Sequence, residues 1–342
     1  MGLKIHRPRR GSMAYYPRKR SETLVPKIYN WPQINVGKPM LLSFAAYKAG
    51  MAHVVMIDDR QTSPFYGKEI VRPVTVLDAP PMRIVGVRGY AVDPFKVLKV
   101  SIGEAWISDV PNYLRRVLTL PEKINTEAAM SRLQSHLNEL TEVRVIAVTQ
   151  PHLSGIGKKT PEIIEIPVGG TGNIDELFKY ASSLLGKELG ARDVLREGQL
   201  VDVIGITKGK GTQGVVKRFG VITLPKWNKM RKGYRRTGTA SPQNPAVMFT
   251  IPKQGQTGLH RRTEYNKRVL AIGDNGAEVT PKSGFPHYGV IKGSYIIIEG
   301  SVPGAIKRLI GLRYPIRPPP RYDYVNVNKP QIQWVSTQAV TR

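Results

Sequence analysis

The stretch VDVIGITKGKGTQGVVKRFG, Val201 to Gly220, holds Gly209, Gly211 and Gly214 in a G-x-G-x-x-G spacing. This spacing cradles dinucleotides in one class of fold and, with Val216 two residues further on, the phosphates of ATP in kinases. The stretch therefore indicates either a nucleotide site or a glycine-rich loop with another purpose. Its neighbours along the chain help to distinguish the two.

The residues on either side of the glycines argue against a dinucleotide site. Such a site needs a strand before the glycines and a helix after them, because the helix N-terminus holds the pyrophosphate. Val201, Val203 and Ile204 favour the strand, but the β-branched run 215–222 predicts a second strand rather than a helix. The ribose also calls for an acid about 20 residues further on, and residues 203–263 contain no Asp or Glu.

Kinase and P-loop chemistry are disfavoured as well. No His-Arg-Asp or Asp-Phe-Gly motif follows the loop, and the pattern G-x-x-x-x-G-K-[ST] does not fit it. Besides a nucleotide site, two interpretations stay open: a glycine-rich turn between two strands, and a basic loop that lies against nucleic acid. In the basic loop, Lys208, Lys210, Lys217 and Arg218 would grip phosphates, while the glycines let the backbone approach closely.

The composition favours nucleic acid as the partner. The 342 residues carry a formal net charge of +27 with a pI near 10.2, and a polyanion relieves the self-repulsion of such an excess. The sequence has no 18-residue apolar run, no basic amphipathic helix and no lipidation motif, which disfavours a membrane. It also has no Cys, which excludes disulfides and thiolate metal sites and fits a cytoplasmic protein.

The positive charge is concentrated toward the two ends of the sequence. Residues 1–100 carry a net charge of +11, residues 101–200 a net charge of −2, and residues 201–342 a net charge of +18. We infer that the middle block faces solvent or protein, while the flanking blocks contact the polyanion.

The hydrophobic pattern divides the chain in a similar way. Short β-branched runs predict strands in 38–100 and again in 198–310, where glycine-rich corners suggest a β-barrel. Residues 101–197 predict an α+β insertion. Its two expected strands are EVRVIAVTQ (142–150) and EIIEIPV (162–168).

The insertion also predicts three helices. The first begins after Asp109, with Pro111 in its first turn. The second starts at Asn125 and places four apolar residues on one face, Met130, Leu133, Leu137 and Leu140. The third begins at Asn173 and Glu176, which form a capping-box pattern, and ends near Gly190.

Three segments lack the apolar residues of a core. Residues 1–37, 225–246 and the carboxyl end combine basic and aromatic side chains with Pro and Gly. Each is either a flexible tail or loop, or an arm that extends into RNA, where Arg forks phosphates and aromatic rings stack on bases. Pro318 to Pro320 favour polyproline II, so the carboxyl end predicts no helix.

The sequence contains no recognisable group of catalytic or metal-binding residues. No two of the six His residues are three or four positions apart, and no acid cluster joins them. The acid pair Asp58-Asp59 is accounted for by a hairpin turn. We therefore expect no enzymatic activity, no cofactor and no small-molecule substrate.

Longer motifs resemble a known family. The opening stretch and the run GQTGLHRRTEYNKRVLAIG (255–273) are similar to the signature of the universal family of large-subunit ribosomal protein three. The run SGFPHYGVIKGSYIIIEGSVPGAIKRLIGLR (283–313) resembles the closing barrel strands of that family. The motifs occur in order over roughly residues 1–315.

Two further runs resemble the longer form of the family, found in archaea and eukaryotes. They are VRPVTVLDAPPMRIVGVRGYA (71–91) and VIAVTQPHLSGIGKKTPEIIEIPVGG (145–170). The chain length and the short carboxyl extension look archaeal rather than eukaryotic.

The resemblance implies a mainly β fold with an α+β insertion. At its centre we expect a translation-protein-like closed β-barrel, with an extended N-terminal tail, a long central finger loop and a C-terminal extension. The expected segments are an RNA-binding tail (1–37), the first barrel strands (38–100), the near-neutral insertion (101–197), the remaining barrel strands (198–310) with the finger (224–258), and the extension (311–342).

The resemblance also implies a structural protein of the 50S subunit in the cytoplasm. It would bind 23S ribosomal RNA near the 3′ end and help to nucleate assembly, with the finger directed toward the peptidyl transferase centre. Its expected protein neighbours include ribosomal proteins fourteen and the archaeal form of twenty-four, and any Mg²⁺ would belong to the RNA. The expected RNA-binding residues are Arg7, Arg9, Arg10, Tyr15, Tyr16, Arg18, Lys19, Arg20, Lys208, Gly209, Lys210, Gly211, Gly214, Lys217, Arg218, Lys226, Trp227, Lys229, Arg231, Lys232, Arg235, Arg236, His260, Arg261, Arg262, Lys267 and Arg268.

The finger tip departs from the family pattern. Relatives of the long form often have a Trp there, whereas this tip contains Ser241, Pro242, Gln243 and Asn244. Two other functions stay open. One is an RNA-modifying or nucleotide-dependent enzyme built on the loop 209–214, and the other is a free-standing RNA chaperone.

Overall fold

The structure, a computed structural model, describes residues 9–95, 97–121, 123–223, 233–237, 247–320 and 322–338. The chain forms two compact units. We call residues 1–23 with 206–261 the basic unit, and residues 24–205 with 262–342 the main unit.

Strands dominate the regular structure of the described residues, as the sequence predicted. The strands are β1 Met40–Leu41, β2 Ser43–Ile57, β3 Glu69–Asp78, β4 Met82–Asp93, β5 Leu98–Trp106, β6 Glu142–Val148, β7 Ile163–Gly169, β8 Glu188–Leu189, β9 Leu200–Ile206, β10 Thr212–Gln213, β11 Gly255–Gln256, β12 Arg261–Gly273, β13 Tyr295–Glu299, β14 Leu309–Arg313 and β15 Ile332–Val335. The α-helices are α1 Thr126–Ser135, α2 Ile174–Leu184, α3 Ala191–Val194 and α4 Val215–Phe219.

Seven strands form one sheet in the order β14-β9-β12-β13-β3-β2-β15. An additional pairing joins β14 to β2, so the hydrogen-bonded order returns to its starting point. Successive side chains of a strand point to opposite faces, and β13 serves two hydrophobic cores in this way. Ile296 and Ile298 enter one core, while Ile297 enters the other.

The second sheet has six strands, in the order β1-β7-β6-β4-β5, with β8 paired to β4. It contains the two strands predicted for the insertion, β6 and β7, together with β4 and β5 from earlier in the chain. Alternation gives β6 two buried faces. Val145 and Ala147 of β6 pack in the larger core, and Ile146 and Val148 pack in a smaller one.

The helix predicted at Asn125 is present, but it is shorter than the apolar pattern suggested. Asn125 caps α1 by accepting a hydrogen bond from the amide of Ala128 at 3.1 Å. Leu133 and Leu140 are both buried, yet α1 ends at Ser135, and Leu140 follows a 3₁₀ turn. The shared face is therefore produced by a helix and a separate turn.

The other two helix predictions need correction. Pro111 precedes a 3₁₀ helix over Asn112–Arg116 rather than sitting inside an α-helix. Helix α2 ends at Leu184, and Gly190 instead begins α3. The buried stripe of α2 ends at Leu184, so packing no longer supports the helix beyond that point.

Two of the three segments predicted to lack a core, the tail and the carboxyl end, contribute to packing in the main unit. Ile34, within the tail 1–37, is buried in the larger core, and Trp31 packs against it. In the carboxyl extension, β15 pairs with β2, and the Tyr322 hydroxyl accepts a hydrogen bond from the amide of Leu200 at 2.8 Å. Within the described ranges, no helix is long and apolar enough to cross a membrane.

Candidate nucleic-acid interface

The basic unit concentrates the positive charge of the chain. Its 79 residues contain 19 Lys and Arg and one acid, Glu22. The main unit has 33 Lys and Arg against 24 acids. A net charge of +18 therefore belongs to less than a quarter of the sequence, which is the distribution expected of a polyanion-binding surface.

The glycine loop of the opening stretch forms a two-stranded ladder with residues 255–260. Strands β10 and β11 pair Thr212 with Gln256. Beyond them, the amide of Lys210 donates to the carbonyl of Thr257 at 2.9 Å, and the amide of Thr207 donates to the carbonyl of His260 at 2.9 Å. These amides are committed to the ladder, so the loop does not present them to a phosphate as a nucleotide-binding loop would.

A short helix follows the ladder, where the β-branched run 215–222 predicted a strand. Val215 and Phe219, four positions apart, are both buried in a small apolar cluster, and Gly220 ends α4 with φ +66°. Burial of one helical face and a left-handed glycine cap outweigh the strand preference of the valines. This helix has five residues, and the expected ribose acid is missing from the sequence.

The glycines of the ladder have two different roles. Gly211 and Gly258 have φ +64° and +76°, and a Cβ on Gly258 would lie 2.1 Å from the carbonyl oxygen of Lys208. A Cβ on Gly209 would meet only Leu259, at 3.8 Å, and one on Gly214 would meet nothing within 4 Å. The first two glycines are needed for folding, whereas the last two leave open surface above the backbone.

We expect Gly258→Ala to destabilise the ladder by more than about 2 kcal/mol, because it adds a clash to a left-handed backbone. Native-state hydrogen exchange at the Lys210 amide, which bonds to Thr257, measures this loss directly. Gly209→Ala is the matched control, with an expected change within about 0.5 kcal/mol. Equal protection in the two variants would contradict the proposed role of Gly258.

Arg218, predicted to grip phosphate, is engaged with the protein backbone. Its Nε donates to the carbonyl of Gln256 at 3.0 Å, its Nη1 to that of Lys253 at 2.9 Å, and its Nη2 to that of Arg18 at 3.1 Å. Burial and the neighbouring Arg18 lower the pKa of this guanidinium. Arg218 thus joins three segments of the basic unit.

The N-terminal tail packs onto α4. The guanidinium of Arg18 lies over the ring of Phe219, 4.3 Å from its centroid, and donates to the carbonyl of Arg218 at 3.3 Å. The ring of Tyr16 stacks on Phe219 at 6.4 Å and meets Phe249 edge-on at 5.4 Å. Tyr16 and Arg18, both predicted to contact RNA, therefore also hold the tail in place.

The tail continues beside the ladder. The amide of Ser21 donates to the carbonyl of Leu259 at 2.8 Å, and Nδ1 of His260 lies 2.9 Å from the carbonyl oxygen of Lys19. The tail, the glycine loop and the segment before β12 thus run side by side. Their basic side chains belong to one surface although about 200 residues separate them in sequence.

The predicted RNA-binding residues fall into four groups. Exposed in the basic unit are Arg9, Tyr15, Lys19, Arg20, Lys208, Gly209, Lys210, Gly211, Gly214, Lys217, Arg235, Arg236 and Arg261. Partly buried there are Arg10, Tyr16, Arg18, Arg218 and His260. Arg262, Lys267 and Arg268 belong to the main unit. Outside the described residues lie Arg7, Lys226, Trp227, Lys229, Arg231, Lys232 and the finger tip Ser241, Pro242, Gln243 and Asn244.

The sequence prediction missed two residues on this surface. Lys253 is exposed, and its carbonyl accepts from Arg218. Phe249 is 72% exposed and touches Tyr16. The signal that could have identified both is an aromatic and a basic residue in a segment without acids, the pattern used for the tail.

Arg268 is held by an acid in the main unit. Its Nη1 donates to Oδ1 of Asp59 at 2.7 Å, and its Nη2 donates to the carbonyl of Asn328 at 3.0 Å. Lys267 forms an ion pair with Glu264 at 3.0 Å. The acid pair predicted as a simple turn therefore has two roles, because Asp58 accepts from the amide of Arg60 in the turn while Asp59 binds Arg268.

This ion pair predicts a pH dependence of stability. The hydrogen bond from Arg268 lowers the pKa of Asp59 below its ordinary value, so the pair stabilises the fold at neutral pH, and its contribution is lost as the pH falls through the lowered pKa. We expect the difference in unfolding free energy between the wild type and Asp59→Asn to be constant above about pH 5 and to shrink below about pH 4. Denaturant titrations from pH 3 to pH 7 measure it, and a difference that persists unchanged at pH 3 would contradict this assignment.

Comparison with known proteins identifies the family. The family model of Ribosomal protein L3 matches residues 1–341. The large ribosomal subunit protein uL3 of Pyrobaculum calidifontis is 63% identical over 340 residues, 99% of this chain and 100% of the relative. The uL3 protein of Caldivirga maquilingensis is 61% identical over 346 residues, which cover 100% of this chain and 99% of the relative. The uL3 protein of Aeropyrum pernix is 47% identical over 339 residues, which cover 98% of each chain. The resemblance seen in the sequence motifs is thus confirmed, and the chain belongs to the Ribosomal protein L3 family, with archaeal relatives.

Proposed function

We propose that the chain is a structural protein of the large ribosomal subunit that binds ribosomal RNA through the basic unit. The observation that carries this proposal is the ratio of 19 basic residues to one acid in that unit. The names of the relatives, large ribosomal subunit protein uL3, support the same role. On this proposal the protein catalyses no reaction and works in the ribosome.

The ladder supplies a physical mechanism for binding. Lys208, Lys210 and Lys217 project exposed ammonium groups from one short segment, and each neutralised phosphate releases counterions. Gly209 and Gly214 leave open space where an RNA backbone could approach. Arg218 holds the segment in place by donating hydrogen bonds to the carbonyls of Gln256 and Arg18.

The finer parts of the proposal follow from the family. They are that the RNA is 23S, bound near its 3′ end during early assembly, and that the finger (224–258) points toward the peptidyl transferase centre. Neighbours would include ribosomal proteins fourteen and the archaeal form of twenty-four, and the returning strand pairings would form a closed barrel of the translation-protein type. The segment boundaries given above belong to the same proposal.

A binding titration tests the RNA partner. The full chain is titrated into 23S RNA and into 16S RNA at several salt concentrations, followed by hydroxyl-radical footprinting on 23S. We expect tighter binding to 23S and protection confined to the 3′ region. Equal affinity for both RNAs, with no footprint, would contradict the proposal.

Two controls separate the rival functions. Calorimetry with ATP, NAD and S-adenosylmethionine should show no saturable binding, whereas a nucleotide-dependent enzyme would bind one of them. Sedimentation of ribosomes in moderate salt should leave one copy of the chain on each large subunit, whereas an RNA chaperone would dissociate.

A further inference from the structure

The hairpin formed by β4 and β5 exposes a group of apolar side chains in the main unit. Phe95 is 95% exposed, Val97 78% and Leu98 61%, and Val100 is also exposed. Single exposed apolar residues are ordinary on protein surfaces, but neighbouring ones indicate an interaction site. These four lie within six positions of one hairpin end.

Leu98 and Val100 lie on the same face of the hairpin as Gly89 and Gly103, which α1 covers nearer the core. A Cβ on Gly89 or Gly103 would lie 3.3 or 3.2 Å from the side chain of Leu133 in α1. Ala91 follows Gly89 by two positions, so it shares that face, and it pairs with Val100. Leu98 lies opposite Asp93 and therefore shares the face too. The hairpin thus extends a core-facing surface into solvent.

The opposite face of the hairpin is polar and electrically balanced. Arg88 pairs with Glu104 and Glu165, Lys99 pairs with Glu142, and Arg144 pairs with Glu142 and Glu165. Three cations thus face three carboxylates.

The turn holds the apolar side chains in a defined position at an energetic cost. The amide of Val97 donates to the carbonyl of Asp93 at 2.8 Å, and Oδ1 of Asp93 accepts from the amide of Phe95 at 2.9 Å. Val97 has φ +53°, a left-handed conformation that is unfavourable for a β-branched residue and natural for Gly. Solvent exposure and backbone conformation both disfavour Val at this position, which favours a function for its side chain.

We propose that this hairpin end, Phe95, Val97, Leu98 and Val100, docks into an apolar groove of another protein of the large subunit. A protein is favoured over RNA because three of the four side chains, Val97, Leu98 and Val100, are aliphatic and neither neutralise phosphate nor stack on bases. The ion pairs on the opposite face also balance the nearby charges. The partner surface is therefore apolar at its centre and carries little net charge. This inference rests on the proposed residence of the chain in the subunit.

Photo-crosslinking tests the proposal. Large subunits are assembled with the full chain in which Phe95 is replaced by p-benzoylphenylalanine, irradiated, and digested for mass spectrometry. We expect one cross-link, to a protein other than this chain. A cross-link to RNA or to a second copy, or none at all, would overturn the proposal. The control places the same group at Val92, which pairs with Lys99 and so lies on the polar face, and it should give a different product or none.

A second measurement separates docking from a structural role. Val97→Gly removes the unfavourable backbone conformation, so the free chain should be at least as stable as the wild type. The partner protein that the cross-link identifies is then purified on its own. The affinity of Val97→Gly for this partner should be about fivefold lower than that of the wild type, and the affinity of Phe95→Ser about tenfold lower or more. Unchanged affinity in both variants would overturn the proposal. Failure of the labelled chain to enter subunits at all would count instead against the proposed ribosomal function.

Discussion

Asp202→Ala is expected to destabilise the main unit by about 3–5 kcal/mol, because it leaves a buried guanidinium without its counter-charge. Asp202 is fully buried, and its Oδ2 accepts from Nη2 of Arg313 at 2.6 Å and from the amide of Ile316 at 3.0 Å. Its Oδ1 accepts from the amide of Asn266 at 3.1 Å. One carboxylate therefore joins β9, β12, β14 and the segment that follows β14.

Chemical denaturation of the full chain measures this loss. Tryptophan fluorescence reports on the main unit in a Trp227→Phe background, because Trp31, Trp106 and Trp334 belong to the main unit and Trp227 to the basic unit. Asp274→Asn is the matched control, since Asp274 also pairs with an arginine, Arg192, at 3.1 Å, but both side chains are more than half exposed. That variant should change the unfolding free energy by less than about 1 kcal/mol. If the two variants lost similar stability, burial could not be the reason for the importance of Asp202.

The sequence predicted most strands of the main unit because their signal is local. β-branched runs such as 142–148 and 163–169 form strands whose alternate side chains enter two cores. The order in which the strands pair is not local. The pairing of Tyr47 with Leu309 joins residues more than 260 positions apart, and no periodicity within either strand specifies that partner.

The helix α4 shows where local preference fails. Val215 and Val216 favour a strand, but Phe219 and Val215 can both be buried against Tyr16 only if they share a helical face. The tail residue Tyr16 lies about 200 positions earlier. A preference of a few tenths of a kcal/mol per residue is smaller than the gain from burying an aromatic ring and a valine.

Charge was the most informative sequence signal for the candidate site, whereas the roles of individual arginines were not predictable. An acid-free stretch with a basic tail predicts a polyanion surface, and the basic unit gathers both in one place. Arg218 and Arg268 resemble their exposed neighbours in sequence. Their partners are four backbone carbonyls and Asp59, and only the fold brings these into contact.

Replacing Lys208, Lys210 and Lys217 together by Ala is expected to weaken RNA binding by about 10- to 100-fold at physiological salt. All three ammonium groups are exposed in the basic unit, so their loss removes phosphate contacts without opening the ladder, which is held by backbone hydrogen bonds. The slope of the logarithm of the association constant against the logarithm of the salt concentration should become shallower by about 2 to 3. With three fewer phosphate contacts, RNA binding releases fewer counterions in total.

The matched control is the triple variant of Arg115, Arg116 and Lys123, which are exposed in the near-neutral insertion. It removes the same formal charge from the main unit, so a purely global field would weaken binding equally in both variants. Filter-binding titrations against 23S RNA between 50 and 400 mM KCl compare them. Hydrogen exchange at the Thr257 amide, which donates to the carbonyl of Gly211 at 2.9 Å, checks that the ladder is intact. We expect the control to keep nearly the wild-type slope, because phosphate contacts act within about 10 Å of the RNA at these salt concentrations. A control slope as shallow as that of the lysine variant would show that the whole chain, rather than the basic unit, attracts the polyanion.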